Sequence, residues 1–137
     1  MRILVDTNIL LDYFLDREPF EDDAAQVLEL CQTNAVQGFV AAHSISTMFY
    51  VLRRGYSVAQ RKEILLSLCQ ILRVVGIEDW QVVAALEDDC FDDVEDCLQA
   101  QCAMDCNADY IITRDGKDFA QSPVPALVPQ QFLTLFN

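Results

Sequence analysis

Four aspartates are the residues of this sequence whose type and placement could do chemistry. Asp6 closes the apolar run Ile3-Leu4-Val5, and Asp115 follows the run Tyr110-Ile111-Ile112-Thr113. Asp93 and Asp96 open a helical pattern at a spacing that makes them neighbours on one helix face. Two ionised carboxylates about 4 Å apart repel by about 4 kcal/mol at an effective dielectric of ~20. A cluster of them takes up a proton or binds a hard cation, and oxygen-only ligands favour Mg²⁺ or Mn²⁺. A cation that keeps some of its waters can activate a nucleophile and clamp a phosphodiester for in-line displacement. That chemistry needs neither histidine nor cysteine.

Each aspartate also has a purely structural explanation. Asp6 or Asn8 would cap a first helix, Asp93 would cap a later one, and Asp115-Gly116 is a good turn dipeptide. Capping accounts for an aspartate at a helix start, but not for several of them at the same edge of a sheet.

The elements that must position these groups alternate along the chain. Ile3-Leu4-Val5, Phe39-Val40-Ala41-Ala42, Arg73-Val74-Val75, Tyr110 to Thr113 and Ala126-Leu127-Val128 read as short strands. Between them, Ile9, Leu10, Tyr13 and Phe14 predict a first helix, and Val27, Leu28 and Cys31 a second that starts on Glu21, Asp22 and Asp23. A third helix starts at His43-Ser44-Ile45-Ser46 with serine caps and stops at Arg53-Arg54-Gly55. Ser57 and Gln60 form a capping-box pattern before the face Ile64, Leu65, Leu68, Ile71, Leu72. Residues 79–88 predict a helix with Trp80, Val83 and Ala84 inward, and Val94, Cys97, Leu98 and Cys102 a helix running to about Cys106. Pro129 opens a closing helix with Phe132, Leu133 and Phe136. Strand–helix alternation argues for an α/β fold, a parallel sheet covered on both faces, in a single domain over residues 1–137. In such a sheet ligands bind outside the carboxyl ends of the strands, where Asp6 and Asp115 fall.

Bulk properties narrow the function. A charge of −13, from 22 acidic and nine basic residues, disfavours a tight, sequence-blind grip on nucleic acid and favours solubility, a basic partner or bound cations. The six cysteines form no CxxC pair and His43 is the only histidine, so reduced, buried thiols are expected rather than a zinc site. Arg2 leads directly into a strand, so no secretory signal is expected. No apolar run approaches the roughly 20 residues of a membrane span, and a cytoplasmic protein without a membrane partner is the expectation. Arg53, Arg54, Arg61 and Lys62 read as helix-end charges.

The stretches Ile3-Leu4-Val5-Asp6-Thr7-Asn8, Asp93-Val94-Glu95-Asp96 and Tyr110 to Phe119 together resemble signatures of the PIN-domain family. Val128-Pro129-Gln130-Gln131-Phe132-Leu133 is similar to the closing helix of its bacterial members, and VapC-like toxins of type II toxin–antitoxin modules are the branch most resembled. The resemblance covers essentially the whole chain. It implies a three-layer α/β/α sandwich with a mainly parallel central sheet of four to five strands. It also implies a Mg²⁺- or Mn²⁺-dependent endoribonuclease, with RNA as substrate and an antitoxin protein and a second copy of the chain as partners. On this resemblance Asp6, Asp96 and Asp115 are the catalytic carboxylates and metal ligands, with Asp93 a fourth ligand. Asn8 and Thr113 fall where polar contacts to ligands are expected, and Arg114 beside Asp115 is placed to meet a phosphate. Asp118 reads as structural, with Phe119 anchoring its loop.

One position departs from the family. A glutamate is common at the start of the helix after the second strand, and here that place falls on Thr47. Losing a carboxylate should weaken divalent binding and leave one metal where the family can hold two. The departure motivates an alternative, a PIN-like fold that acts through partner binding with weak or no catalysis. A phosphatase of the haloacid dehalogenase type would want a second aspartate two residues after Asp6, where Asn8 stands.

Overall fold

Strand β1 (Arg2–Val5) passes at once into helix α1 (Thr7–Phe14), with Asp6 between them in extended backbone as the N-cap. The computed structural model describes residues 1–137. After α1 come α2 (Glu21–Gln32), β2 (Gln37–Ala41), α3 (Ala42–Val51), α4 (Val58–Ile71) and β3 (Arg73–Val75). Helices α5 (Asp79–Glu87) and α6 (Val94–Asp105) lead to β4 (Tyr110–Ile112), β5 (Ala126–Leu127) and the closing α7 (Pro129–Leu133).

All five strands are parallel, in the order β3-β2-β1-β4-β5. The chain builds outward from β1 to β3 on one side and then returns to place β4 on the other. That reversal opens a crevice at the carboxyl ends of β1 and β4, the place where ligands bind in sheets of this kind. Register sets its walls: Val5 pairs with Ile112, so Asp6 and Thr113 leave their strands side by side.

Because side chains alternate along a strand, successive β1 residues enter different cores. Ile3 and Val5 pack with the helices α1 to α4 and α7, whereas Leu4 packs with Ala100, Cys102 and Ala103 of α6 on the opposite face. The same split separates Ile112 from Ile111 on β4. The small residues Ala100 and Ala103, both buried, let α6 lie close against the sheet. These are the three layers of an α/β/α sandwich. Gly38 on β2 allows the close approach of α2 and α4, since a Cβ there would stand 2.3 Å from Leu72 and 2.6 Å from the Cys31 sulfur.

Two local expectations are overturned. Helix α5 turns Trp80 and Val83 outward, 58% and 52% exposed, and buries Gln81 and Ala85. Its apolar residues lie on every side and define no stripe, so polar bonding chooses the face: Gln81 closes a capping box with Glu78 and donates to the Asp105 carboxylate on α6. Helix α3 starts earlier than the serine pattern suggests. Its N-cap is Ala41, and Ser44 is a buried interior residue rather than a cap.

Candidate metal centre

Asp6 is 8% exposed and held from two sides. Its Oδ1 accepts from the Thr7 backbone N–H at 2.8 Å and its Oδ2 accepts from the Thr113 hydroxyl at 2.8 Å. The Thr113 oxygen in turn accepts from the Asp115 backbone N–H at 3.1 Å. Thr113 therefore links the two strand-end aspartates, and Asp115 lies near enough to add to the repulsion on Asp6. Burial raises the Asp6 carboxyl above its ordinary range, against the lowering effect of these hydrogen bonds.

A buried polar triad stands behind Asp6. Thr7 Oγ1 donates to Ser44 Oγ at 2.8 Å, and Gln99 Nε2 donates to Ser44 at 2.8 Å and to Thr7 at 3.2 Å. All three residues are buried. They bind the first turn of α1 to α3 and α6, and they fix the rotation of α6 about its axis. With Gln99 turned inward, Glu95 and Asp96, a turn earlier on the same helix, are brought toward Asp6.

Asp93 is the N-cap of α6 and accepts from the Glu95 N–H at 2.7 Å. Asp96 and Asp93 line a cavity of about 410 Å³ together with Asp118 and Lys117. Burial comes first among the causes that push the Asp96 carboxyl up to about 7, followed by Asp93, Asp6, Asp118 and Glu95. Asp118, expected to be structural, is part of this cavity wall; its neighbour Phe119 is buried in the core as expected. Glu95 was missed. Its carboxyl is raised by burial and by the charges of Asp6 and Asp93. The available signal was the helical spacing from Glu95 to Gln99, which puts both on the inward side of α6.

Other expected residues are engaged differently. Thr47 donates back to the His43 carbonyl at 3.1 Å, within α3, and makes no hydrogen bond to a site carboxylate. Asn8 is half-buried in the first turn of α1. Arg114 turns away from the crevice: its Nε lies 2.9 Å from Asp12 Oδ2, and its guanidinium carbon sits 4.1 Å from the Phe20 ring centroid. Asp12, fully buried in α1, also has Arg17 at 3.6 Å. The sequence contained no local sign of this cluster.

A family model described as PIN domain matches residues 2–117. The chain belongs to the PIN-domain family. No curated protein matches the sequence of this PIN domain. Solved structures do match its fold. A toxin–antitoxin complex from Klebsiella pneumoniae aligns at TM-score 0.69 with 23% identity, over 93% of this chain and 97% of that one. VapBC2 from Rickettsia felis, bound to a DNA fragment from its promoter, aligns at 0.66 with 18% identity over 93% and 98%. VapC20 from Mycobacterium tuberculosis, a Sarcin-Ricin loop cleaving toxin, aligns at 0.68 with 15% identity over 89% and 95%.

The donor set of this PIN domain fits a hard divalent cation in kind. Asp6, Glu95, Asp96 and Asp115 offer only oxygens, and both salt bridges of the molecule belong to Asp12, so no basic side chain pairs with them. They share an edge without closing on a point. No three acidic, histidine or cysteine side chains are drawn together tightly enough to grip an ion. The cysteines are free, and burial pushes the Cys31 and Cys102 thiols up to about 12, away from nucleophilic or metal-binding chemistry. No helix is long and apolar enough to cross a membrane.

Proposed function

We propose that this PIN-domain protein is a divalent-metal-dependent endoribonuclease, acting as one domain over residues 1–137 and as the toxin of a toxin–antitoxin pair. The observation that carries the reading is the set of desolvated carboxylates at the β1–β4 edge, raised by burial and by one another and left without a basic partner. Like charges gathered at a ligand-binding crevice are stabilised by a cation. Asp6, Asp96 and Asp115 hold it, Asp93 assists from the N-cap of α6, and Glu95 brings the charge that Thr47 lacks. A Mg²⁺ or Mn²⁺ ion there would supply water activation and charge for phosphodiester displacement. Thr113 keeps Asp6 and the Asp115 backbone in register, while Asn8 offers a polar contact at the crevice mouth. The fold-level likeness to toxin–antitoxin complexes, and to a Sarcin-Ricin loop cleaving toxin, supports RNA as substrate. It equally supports an antitoxin protein and a second copy of the chain as partners. The reduced cysteines suit the cytoplasm.

The test is cleavage of RNA by the full chain with Mn²⁺ or Mg²⁺, expected to stop on removal of the ion and in Asp6→Asn. Cleavage unchanged by that substitution would reject the site. Thr47 favours one second reading, a PIN fold acting through partners alone. An absence of any stabilisation by millimolar Mn²⁺ would select it.

A further inference from the structure

Asp12 and Arg114 are far apart in sequence, and neither is one of the carboxylates of the acidic edge. Asp12 lies in the last turn of α1 and is fully buried, at a real desolvation cost. Arg114 is the residue between Thr113 and Asp115, and its side chain is 28% exposed. The contact is an ion pair at 2.9 Å without a well-directed hydrogen bond, so it holds by Coulomb attraction and by stacking on Phe20. Arg17 at 3.6 Å supplies a second positive charge to the other Asp12 oxygen.

The consequence lies in the loop that Arg114 belongs to. Thr113 is bonded to Asp6 at the start of α1, and Arg114 to Asp12 six residues further along the same helix. Six residues of helix span about 9 Å. Two successive loop residues are thereby tied to two separated points on one rigid element, which fixes both the position and the direction of the chain as it reaches Asp115. Thr113 is also held to β5 by its N–H on the Leu127 carbonyl at 3.0 Å, but without Arg114 the chain would touch α1 at one point only as it leaves the sheet.

We propose that Arg114, clamped between Asp12 and Phe20, is a positioning residue that sets Asp115 against Asp6, rather than a contact to the phosphate of a substrate. The proposal rests on reading the acidic edge as the metal-dependent nuclease site. A substrate-contacting arginine and a clamped one respond differently to loss of Asp12. Freeing a phosphate contact leaves RNA binding as strong or stronger, whereas unclamping a positioning residue lets the Thr113–Asp115 loop move.

The experiment compares wild type with Arg114→Met, Phe20→Leu and Asp12→Asn, checked for folding by circular dichroism. Phe20→Leu keeps every charge and serves if a charge variant fails to fold. The first readout is amide hydrogen exchange at Asp115, whose N–H is bonded to Thr113. Clamping predicts faster exchange there in each folded variant, with the β1 amides unchanged. The second is Mn²⁺ binding followed by calorimetry, expected to weaken, and the third is RNA cleavage. Misplacing a reacting group by about 1 Å costs on the order of 100-fold, so kcat should fall by about 10- to 100-fold with KM unchanged. Arg114→Lys keeps the charge without the planar stack and should recover part of the loss. Wild-type exchange at Asp115 in the variants, or a rise in KM with kcat unchanged, overturns the positioning role. A wild-type chain that neither binds Mn²⁺ nor cleaves RNA sinks the nuclease reading instead, and the exchange readout still decides the clamp.

Discussion

Asp6 and Asp12 stand at the two ends of helix α1, both withdrawn from water, and the protein treats them differently. Asp12 has a cation at each oxygen, Arg114 at 2.9 Å and Arg17 at 3.6 Å, with Phe20 stacked over the first. Asp6 has only dipoles within hydrogen-bond reach, a backbone N–H and a hydroxyl, and Glu95, Asp96 and Asp115 around it carry its own sign. Burial raises both carboxyls, but at Asp12 the two arginines oppose the shift, and at Asp6 only Arg114 does so as a charge, as the smallest of the named causes. The Asp12 cluster has its countercharges within the chain, though they only partly offset the burial. The Asp6 cluster has no ion-pair partner, and on the proposed reading a proton or a cation from outside completes it.

Substitutions that remove one carboxylate from each cluster break the comparison most sharply. Asp96→Asn should abolish Mn²⁺-dependent RNA cleavage and the stabilisation given by Mn²⁺, while raising the thermal midpoint of the metal-free protein because one repelling charge is gone. Asp12→Ala should do the reverse to stability. Breaking a buried pair by deleting one partner costs about 3–5 kcal/mol, here toward the lower figure because both arginines reach solvent. Thermal melts with and without Mn²⁺ read both. Destabilisation of the metal-free protein by Asp96→Asn would show that the edge is not strained by its charges.

The strand-end aspartates were legible because they depend on local order. An apolar run ending in aspartate names the carboxyl edge of a parallel strand, and alternating elements name the sheet that gathers such edges. The residues that escaped depend on partners distant in sequence. Asp12 sits in Leu11-Asp12-Tyr13 with nothing local to justify its burial; its warrant is Arg114, whose Nε lies 2.9 Å away. Gln99 and Ser44 are buried by each other and by Thr7, so no one of them signals alone. Helix α5 shows the converse, since apolar residues on all sides gave the pattern no face to choose and a polar bond from Gln81 chose it.

The comparison is sharpened by pH. The Asp96 carboxyl titrates near 7 in the folded protein, above its ordinary 3.8. Between about pH 4 and 7 the folded state keeps a proton that the unfolded chain has released, so metal-free stability falls as pH rises through that window and levels above it. Asp6 and Glu95 are raised too and act with the same sign. Asp96→Asn should flatten the slope between pH 4 and 7. Mn²⁺ competes with the proton, so its stabilising effect should be largest above pH 7 and fade toward pH 5. His43, lowered by burial, acts with the opposite sign in both proteins, so a pH slope the same in Asp96→Asn as in wild type would contradict the assignment.

The smallest effect concerns the charge count of the edge. Thr47 lies a turn beyond Ser44 on α3, and Ser44 touches Thr7 directly behind Asp6, so position 47 is on the site-facing side of the helix. Its hydroxyl is bonded to the His43 carbonyl and contributes no charge. If affinity for a hard cation follows the number of carboxylates that can reach it, Thr47→Glu should tighten Mn²⁺ binding by roughly five- to ten-fold, and Glu95→Gln should weaken it by a similar factor. The double variant should then return close to the wild-type constant, because one carboxylate has replaced another across the same crevice. Calorimetric titration distinguishes this from a site in which geometry dominates. There, Glu95→Gln alone would change the constant, and a carboxylate at position 47 would only add repulsion, lowering metal-free stability with no gain in affinity. Glu95 would then be the family glutamate's replacement, delivered from α6 instead of α3.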